Sequence, residues 1–146
     1  MSVELHEACK EEDVGTVQAC LARGVNVNAK HDGVTPLITA VWYNNIEIVR
    51  ILLARDDLDI AATNAAGRTA LHNACYKGHA ECVALLGKDR NMNSKIINTK
   101  TNGGVTALMV AVEENYLPCV ERMAELDGVD WETRNMKEES LEDVAR

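Results

Sequence analysis

The chain has 146 residues and a formal net charge of −8, with 47% hydrophobic and 26% charged residues. This composition is typical of a folded globular protein, and the length suits one domain. The acidic balance argues against a nucleic acid partner held through phosphate contacts. The longest apolar runs, such as residues 46–54, are far shorter than a membrane span, so we expect no membrane insertion.

The N-terminal segment is acidic and lacks the apolar stretch of a secretory signal. The number of cysteines is odd, and each lies inside an apolar helical pattern, which indicates reduced thiols that pack as small hydrophobic residues. These cysteines are Cys9, Cys20, Cys75, Cys82 and Cys119. Their spacing matches no zinc motif, so no metal site is predicted. We expect a cytoplasmic protein, with the nucleus as the alternative compartment.

A unit of about 33 residues recurs along the chain. Leu37, Leu71 and Leu108 occupy the same position in three well-matched copies, and Leu5 and Leu141 mark weaker copies at the two ends. The pattern predicts a single domain over residues 1–146. Its predicted units are residues 1–30, 31–64, 65–101 and 102–135, followed by a partial unit at 136–146.

The three central units predict the same elements in the same order. A glycine ends a turn, and the threonine two residues later caps a helix. A leucine and an alanine three residues apart then share one helical face, a short break follows, and a second apolar helix comes next. The polar stretch after it predicts a β-turn or an extended hairpin. We expect the additional residues of the third unit, within 87–100, to lengthen a hairpin or an outer loop.

The segments GVTPLITAV (33–41) and GRTALHNACYKGH (67–79) resemble the ankyrin repeat, a β-turn followed by two antiparallel helices. The resemblance covers nearly all of residues 2–146. It implies an all-α repeat protein, an ankyrin-repeat solenoid of stacked helix-turn-helix units with β-hairpin or turn connections. The histidine of the motif is kept at His6 and His72 and is replaced at the other units by Ile38, Met109 and Glu142.

The sequence contains no arrangement of residues typical of an enzyme. Motifs of nucleophilic hydrolases, phosphate-binding loops, zinc proteases and dinucleotide-binding folds are missing. Histidines fall mainly at structural positions of the repeat, and acidic pairs are adjacent on helices, where neighbours do not face each other. We therefore predict no enzyme activity, no catalytic residues, no cofactor and no small-molecule substrate.

The resemblance also implies a surface for a partner. In ankyrin proteins, partners usually lie against a concave face formed by the hairpin tips and the exposed side of the first helices. Tryptophan, tyrosine and arginine are frequent anchors of interfaces. The sequence thus predicts a monomer that binds another protein or a peptide on this face. Aligning the units places the following candidates there: His31, Asp32, Arg68, Trp42, Tyr43, Tyr76, Lys77, Glu113 and Glu114.

A core position for Trp42 and Tyr43 is the alternative, although Leu37, Ala40 and Val41 already fill the inward positions of that helix. The third unit is basic between acidic neighbours. This charge pattern stabilises the stack, or it favours a partner with an acidic centre and basic flanks.

Several functions stay open for such a module. It is an adaptor or targeting domain, a stand-alone inhibitor that blocks an enzyme cleft, or the N-terminal regulatory or docking segment of a larger ankyrin-containing enzyme or channel. The end of the sequence soon after the fifth unit begins suggests the last of these. Asn28 resembles a hairpin asparagine that is hydroxylated in some relatives, although Asn26 stands where an acidic residue is expected.

Overall fold

The computed structural model describes residues 2–132 and Ser140, so the predicted partial unit at 136–146 lies almost wholly outside the described residues. Helices alternate with short turns, and no strand forms in the described part of the chain. The helices found there are α1 (Ser2–Lys10), α2 (Val14–Ala22), α3 (Pro36–Trp42), α4 (Ile46–Leu53), α5 (Ala70–Lys77), α6 (Ala80–Gly87), α7 (Ser94–Ile97), α8 (Ala107–Glu113) and α9 (Leu117–Ala124).

The helices form two rows along the repeat direction. The first helices α1, α3, α5 and α8 pack one on the next, as do the second helices α2, α4, α6 and α9. Within each unit, the two helices also pack against each other. One cluster of buried apolar side chains runs from Leu5 on α1 to Met123 on α9. This arrangement confirms the predicted all-α solenoid of stacked helical pairs.

Threonine caps begin three of the first helices, as the sequence predicts. The Thr35, Thr69 and Thr106 side chains accept hydrogen bonds of 3.3, 3.4 and 3.3 Å from backbone N–H groups three residues later. Pro36 occupies the first position of α3, where its missing N–H would have no helical partner. These local bonds fix where each first helix starts.

Alanine at one position of the first helices permits close packing between units. A residue with only a Cβ carbon lets neighbouring helices approach. At most 4% of each of these alanines is exposed, and they are Ala8, Ala40, Ala74 and Ala111. The rows therefore pack without space for larger side chains at this position.

The five cysteines are free and buried, as predicted. Burial raises the pKa of Cys9 and Cys82 to about 12, and it raises the pKa of Cys75 and Cys119 above the ordinary value. Because the thiolate is the reactive form, these four thiols are protonated and unreactive at neutral pH. The cysteines thus serve as small core residues.

The polar stretches between units form tight turns, which is the first of the two predicted alternatives, and no extended hairpin forms in the described residues. The pairing of His31 with Val34, through backbone bonds of 2.9 and 3.0 Å, is the isolated strand-like bridge found there. In the next unit, Asn64 Oδ1 accepts bonds of 3.0 Å from the N–H groups of Ala66 and Arg68. Because these backbone N–H groups bond to a side chain within the turn, they are not available to pair with a neighbouring strand.

The additional residues of the third unit form a helical turn, which the sequence analysis described only as a longer loop. Asn93 caps α7 by accepting a bond of 2.9 Å from the Ile96 N–H, and Ile97 is buried with 4% exposed. Asn98 then joins the next unit: its Nδ2 donates to Gly128 O and its Oδ1 accepts from Asp130 N–H, both at 2.8 Å. The segment is therefore stabilised by the Asn93 cap, by burial of Ile97 and by the hydrogen bonds of the Asn98 side chain.

The turn between the two helices of a unit requires a left-handed residue. Gly78 has a φ of 76°, and Glu12, Asn44 and Asn115 occupy the equivalent positions with φ of 61°, 57° and 59°. A Cβ at Gly78 would lie 3.0 Å from carbons of the Tyr116 ring. Glycine relieves both the backbone strain and this close contact.

We expect Gly78→Ala to lower the free energy of unfolding by about 1–2 kcal/mol, because an L-residue is strained in the left-handed region. Glu12→Gly is the matched opposite change, and we expect it to raise that free energy by up to about 1 kcal/mol. Urea unfolding followed by circular dichroism measures both variants. A Gly78→Ala variant as stable as the unchanged chain would contradict this interpretation of the turn.

Candidate interaction surface

Aromatic and basic side chains from two neighbouring units pack together on the first helices. Trp42 on α3 stacks on Tyr76 on α5, with ring centroids 5.8 Å apart and planes 14° from parallel. Lys77 Nζ lies 4.7 Å from the centroid of the Trp42 ring, and Arg68 Cζ lies 5.2 Å from that of the Tyr76 ring. The face of an aromatic ring attracts a cation, so each contact holds its partner in place.

A similar contact extends this group towards the first unit, where Lys10 Nζ lies 5.9 Å from the centroid of the Tyr43 ring. Tyr43 and Tyr76 are 46% and 39% exposed, so both rings remain accessible. None of the three cations forms an ion pair with an acidic side chain of the described segment. We call the six residues the aromatic–cation cluster: Lys10, Trp42, Tyr43, Arg68, Tyr76 and Lys77.

Trp42 and Tyr43 do not fill the core of α3. Leu37 is 2% exposed and Ala40 and Val41 are fully buried, so the inward positions are occupied, whereas Trp42 is half-buried and Tyr43 exposed. The sequence argument about these positions is confirmed. The two rings are left for contacts outside the core.

A cavity of about 420 Å³ lies beside the cluster, between α1, α3 and α5 and the turns that precede α3 and α5. Its lining includes Trp42 and Tyr43 from α3, His31 and Asp32 from one turn, and Arg68 from the next. We call it the inter-turn cavity. It brings together residues that the sequence had placed on separate segments.

Asn73 on α5 also lines the inter-turn cavity, and sequence reasoning missed it. The residue is 2% exposed, and its Nδ2 has no hydrogen-bond partner in the described part of the chain. Burying an unsatisfied polar group costs about 1–3 kcal/mol. Glu7, Thr39 and Asn73 occupy the same position in successive units and all line the cavity. Alignment of the units could have identified Asn73 from this row of polar residues.

His31 and Asp32 lie at the edge of the inter-turn cavity. The His31 ring lies 5.5 Å from the ring of His6, centroid to centroid, and its Nε2 is 3.6 Å from the Asp32 carboxylate. The Asp32 side chain is 91% exposed. These two residues can therefore contact both solvent and an occupant of the cavity.

Glu113 and Glu114 are exposed at the C-terminal end of α8. Within the described residues, no hydrogen bond or ion pair joins them to the aromatic–cation cluster, and they do not line the inter-turn cavity. The structure thus gathers the other predicted site residues and leaves these two apart.

The two motif histidines connect α1 and α5 to the turn of the next unit. His72 Nδ1 accepts a hydrogen bond of 3.2 Å from the Thr69 N–H, so its Nε2 carries the proton and donates to Val105 O at 2.9 Å. His6 Nε2 lies 2.7 Å from Val34 O in the equivalent place. Both rings bond to backbone, as the sequence analysis expected.

Asn28 makes a comparable connection between turns. Its Nδ2 donates to Asp57 O at 2.7 Å, and its Oδ1 accepts from the Asp59 N–H at 2.8 Å. Both ends of the amide are therefore engaged. Modification of Asn28 stays a prediction.

The described residues contain no group of three or more His, Cys, Asp or Glu side chains placed to hold a metal ion. None of the helices described is long and apolar enough to cross a membrane.

Stacked helix pairs, threonine caps and histidines bonded to the next turn define a helical-repeat protein. The sequence model for ankyrin repeats, in three copies, matches residues 4–64 and 57–135, and the chain belongs to the ankyrin-repeat family. Ankyrin repeats are protein-interaction modules and are generally not catalytic.

Similar regions occur in much longer proteins. The E3 ubiquitin-protein ligase XBAT33 of Arabidopsis thaliana is 30% identical over 148 residues, covering 85% of this chain and 29% of that protein. The tyrosine-protein kinase HTK16 of Hydra vulgaris is 30% identical, covering 83% and 16%. The human transient receptor potential cation channel subfamily A member 1 is 31% identical, covering 83% and 12%. The chain spans less than a third of the length of these relatives.

Burial lowers the pKa of His72 below its ordinary value of 6.5, and the charge of Arg68 lowers it further. At mildly acidic pH, the unfolded chain therefore binds a proton on His72 that the folded chain does not bind. The free energy of unfolding is highest above the pKa of His72 in the unfolded chain and decreases as the pH falls below that value. We expect the free energy of unfolding to fall more steeply between about pH 7.5 and 5.5 in the unchanged chain than in His72→Gln. Equal slopes in urea titrations would refute this role for His72.

Proposed function

We propose that the chain is a non-enzymatic module that binds an extended segment of another protein across the aromatic–cation cluster. The observation that carries this proposal is the stack of half-buried Trp42 on exposed Tyr76, flanked by cations without acidic partners in the described region. Family membership supports the general role of protein binding. We place the module in the cytoplasm, acting as a monomer in an adaptor, targeting or inhibitory role.

The geometry suits binding because the cluster is already ordered. Aromatic side chains each bury about 150–250 Å² in an interface, and rings fixed in advance lose little conformational freedom on association. Lys77 and Arg68 lie over those rings and place positive charge beside them. Such charges increase association rate and selectivity more than affinity.

A second candidate is a regulatory or docking segment of a larger enzyme or channel. The relatives that favour it are named as ubiquitin ligases, a tyrosine kinase and cation channels, and the chain aligns with a minor part of each. The test is to add any adjoining sequence that a longer transcript from the source organism encodes. If the longer chain melts several degrees higher, the stack continues into a larger protein, because neighbouring repeats stabilise one another. No change would favour an independent module.

Replacing Trp42 and Tyr76 together by alanine tests the main proposal. We expect recovery of native partners to fall about 30-fold or more, since anchors of this kind contribute at least about 2 kcal/mol to binding. Affinity purification from the source cells with quantitative mass spectrometry gives the recovery.

Trp131→Ala is the matched control, because Trp131 is 50% exposed and follows the last described helix, outside the aromatic–cation cluster. Far-ultraviolet circular dichroism checks that each variant is folded. If the double variant recovers the same partners in the same amounts, the aromatic–cation cluster is not the binding surface.

A further inference from the structure

We propose that the inter-turn cavity binds the side-chain carboxylate of an aspartate or glutamate within an extended peptide, with Arg68 and Asn73 as its hydrogen-bond donors. This inference rests on the proposed function and names the chemistry of the partner at that surface. Arg68 and Asn73 line the same cavity from a turn and from α5.

Asn73 supplies the first argument. Its side chain is 98% removed from solvent, lines the cavity, and has an Nδ2 with no partner among the residues described. A buried N–H group in a protein usually has a hydrogen-bond acceptor. Nδ2 is closed to solvent in the free chain, so a bound carboxylate becomes its acceptor when the Asn73 side chain turns towards the cavity that it lines.

Arg68 supplies an independent argument. The other arginines within the described ranges each form an ion pair: Arg23 with Glu4, Arg50 with Glu81, Arg55 with Asp57, Arg90 with Asp56 and Arg122 with Glu125. Arg68 has no such pair there and lies over the Tyr76 ring beside the cavity. A guanidinium group matches a carboxylate with two parallel N–H···O bonds. Its available donors therefore predict an external carboxylate.

The charges that line the cavity suit one negative charge better than two. Lys10 and Arg68 are basic whereas Glu7 and Asp32 are acidic, so their formal charges cancel. Because the two carboxylates repel anions, a single carboxylate is tolerated better than a dianionic phosphate. Trp42 and Tyr43 provide ring surface for the apolar stem of the bound side chain and for its neighbours. At about 420 Å³, the cavity is within the size range of ligand sites and holds more than one small side chain.

The test uses linear peptides displayed at the N-terminus of a phage coat protein, so that no free C-terminal carboxylate is present. The whole chain is the target. We expect selected peptides to share an aspartate or glutamate at one position. A synthetic peptide from this selection should bind at least tenfold more weakly when that residue is replaced by its amide, because a hydrogen bond to a charged group is lost.

Variants of the chain locate the site. We expect Arg68→Ala and Asn73→Leu each to weaken binding of the acidic peptide about tenfold or more, measured by fluorescence anisotropy. Arg50→Ala removes the same charge from an arginine paired with Glu81 and absent from the cavity lining, and it should leave binding unchanged.

Asn73→Leu also distinguishes a binding residue from a structural one. Because the amide has no partner in the described chain, a leucine of similar shape should give a melting temperature equal to or above that of the unchanged chain. A large fall in melting temperature would overturn the inference. Acidic peptides that bind Asn73→Leu and Arg68→Ala as tightly as they bind the unchanged chain would also overturn it.

Other outcomes separate this inference from the proposed function. Selected peptides without a shared acidic residue, whose binding is lost in the Trp42→Ala/Tyr76→Ala variant, would overturn the carboxylate site and support the surface. Tighter binding after phosphoserine replaces the acidic residue would overturn the choice of carboxylate. A selection that enriches no peptide would overturn the inference, while the recovery of native partners would still decide the proposed function.

Discussion

Close packing of consecutive first helices is the constraint on which the rest of the structure depends. A single helix pair cannot bury its apolar face, so each unit depends on its neighbours for a core. The fully buried Ala40, Ala74 and Ala111 allow this contact, and buried cysteines and aliphatic residues fill the space around them. Backbone-bonded histidines and turn asparagines then fix the spacing between units. The same side chains therefore determine the fold and the distances across its surface.

That spacing produces the candidate site. Trp42 and Tyr76 occupy equivalent positions in adjacent units, so packing of α3 on α5 brings their rings into a stack. The turns before α3 and α5 enclose the inter-turn cavity with the same helices. Leaving the Asn73 amide without a partner lowers stability, and such a cost is common where a site is prepared for a ligand. The candidate site is thus located where two units meet.

The sequence predicted the helices and caps because their determinants are local and repeated. Alignment of the units also placed Trp42 and Tyr76 on the same expected face. The sequence could not show that Asn73 lacks a partner, since this depends on side chains from separate segments. The four residues of α7 are too few for a periodic pattern to emerge. The choice between a β-turn and an extended hairpin stayed open because alternation in a polar stretch does not reveal that Asn64 closes the turn with its own side chain.

Equilibrium unfolding of Ala74→Leu, in a Trp131→Phe background that leaves Trp42 as the fluorescent reporter, tests the packing constraint most directly. Ala74 is fully buried, so overpacking there should lower the free energy of unfolding by about 1–3 kcal/mol and shift the Trp42 emission. Ala22→Leu, at an exposed position of α2, is the control and should change neither quantity. An Ala74→Leu chain with unchanged stability and unchanged Trp42 emission would contradict the account.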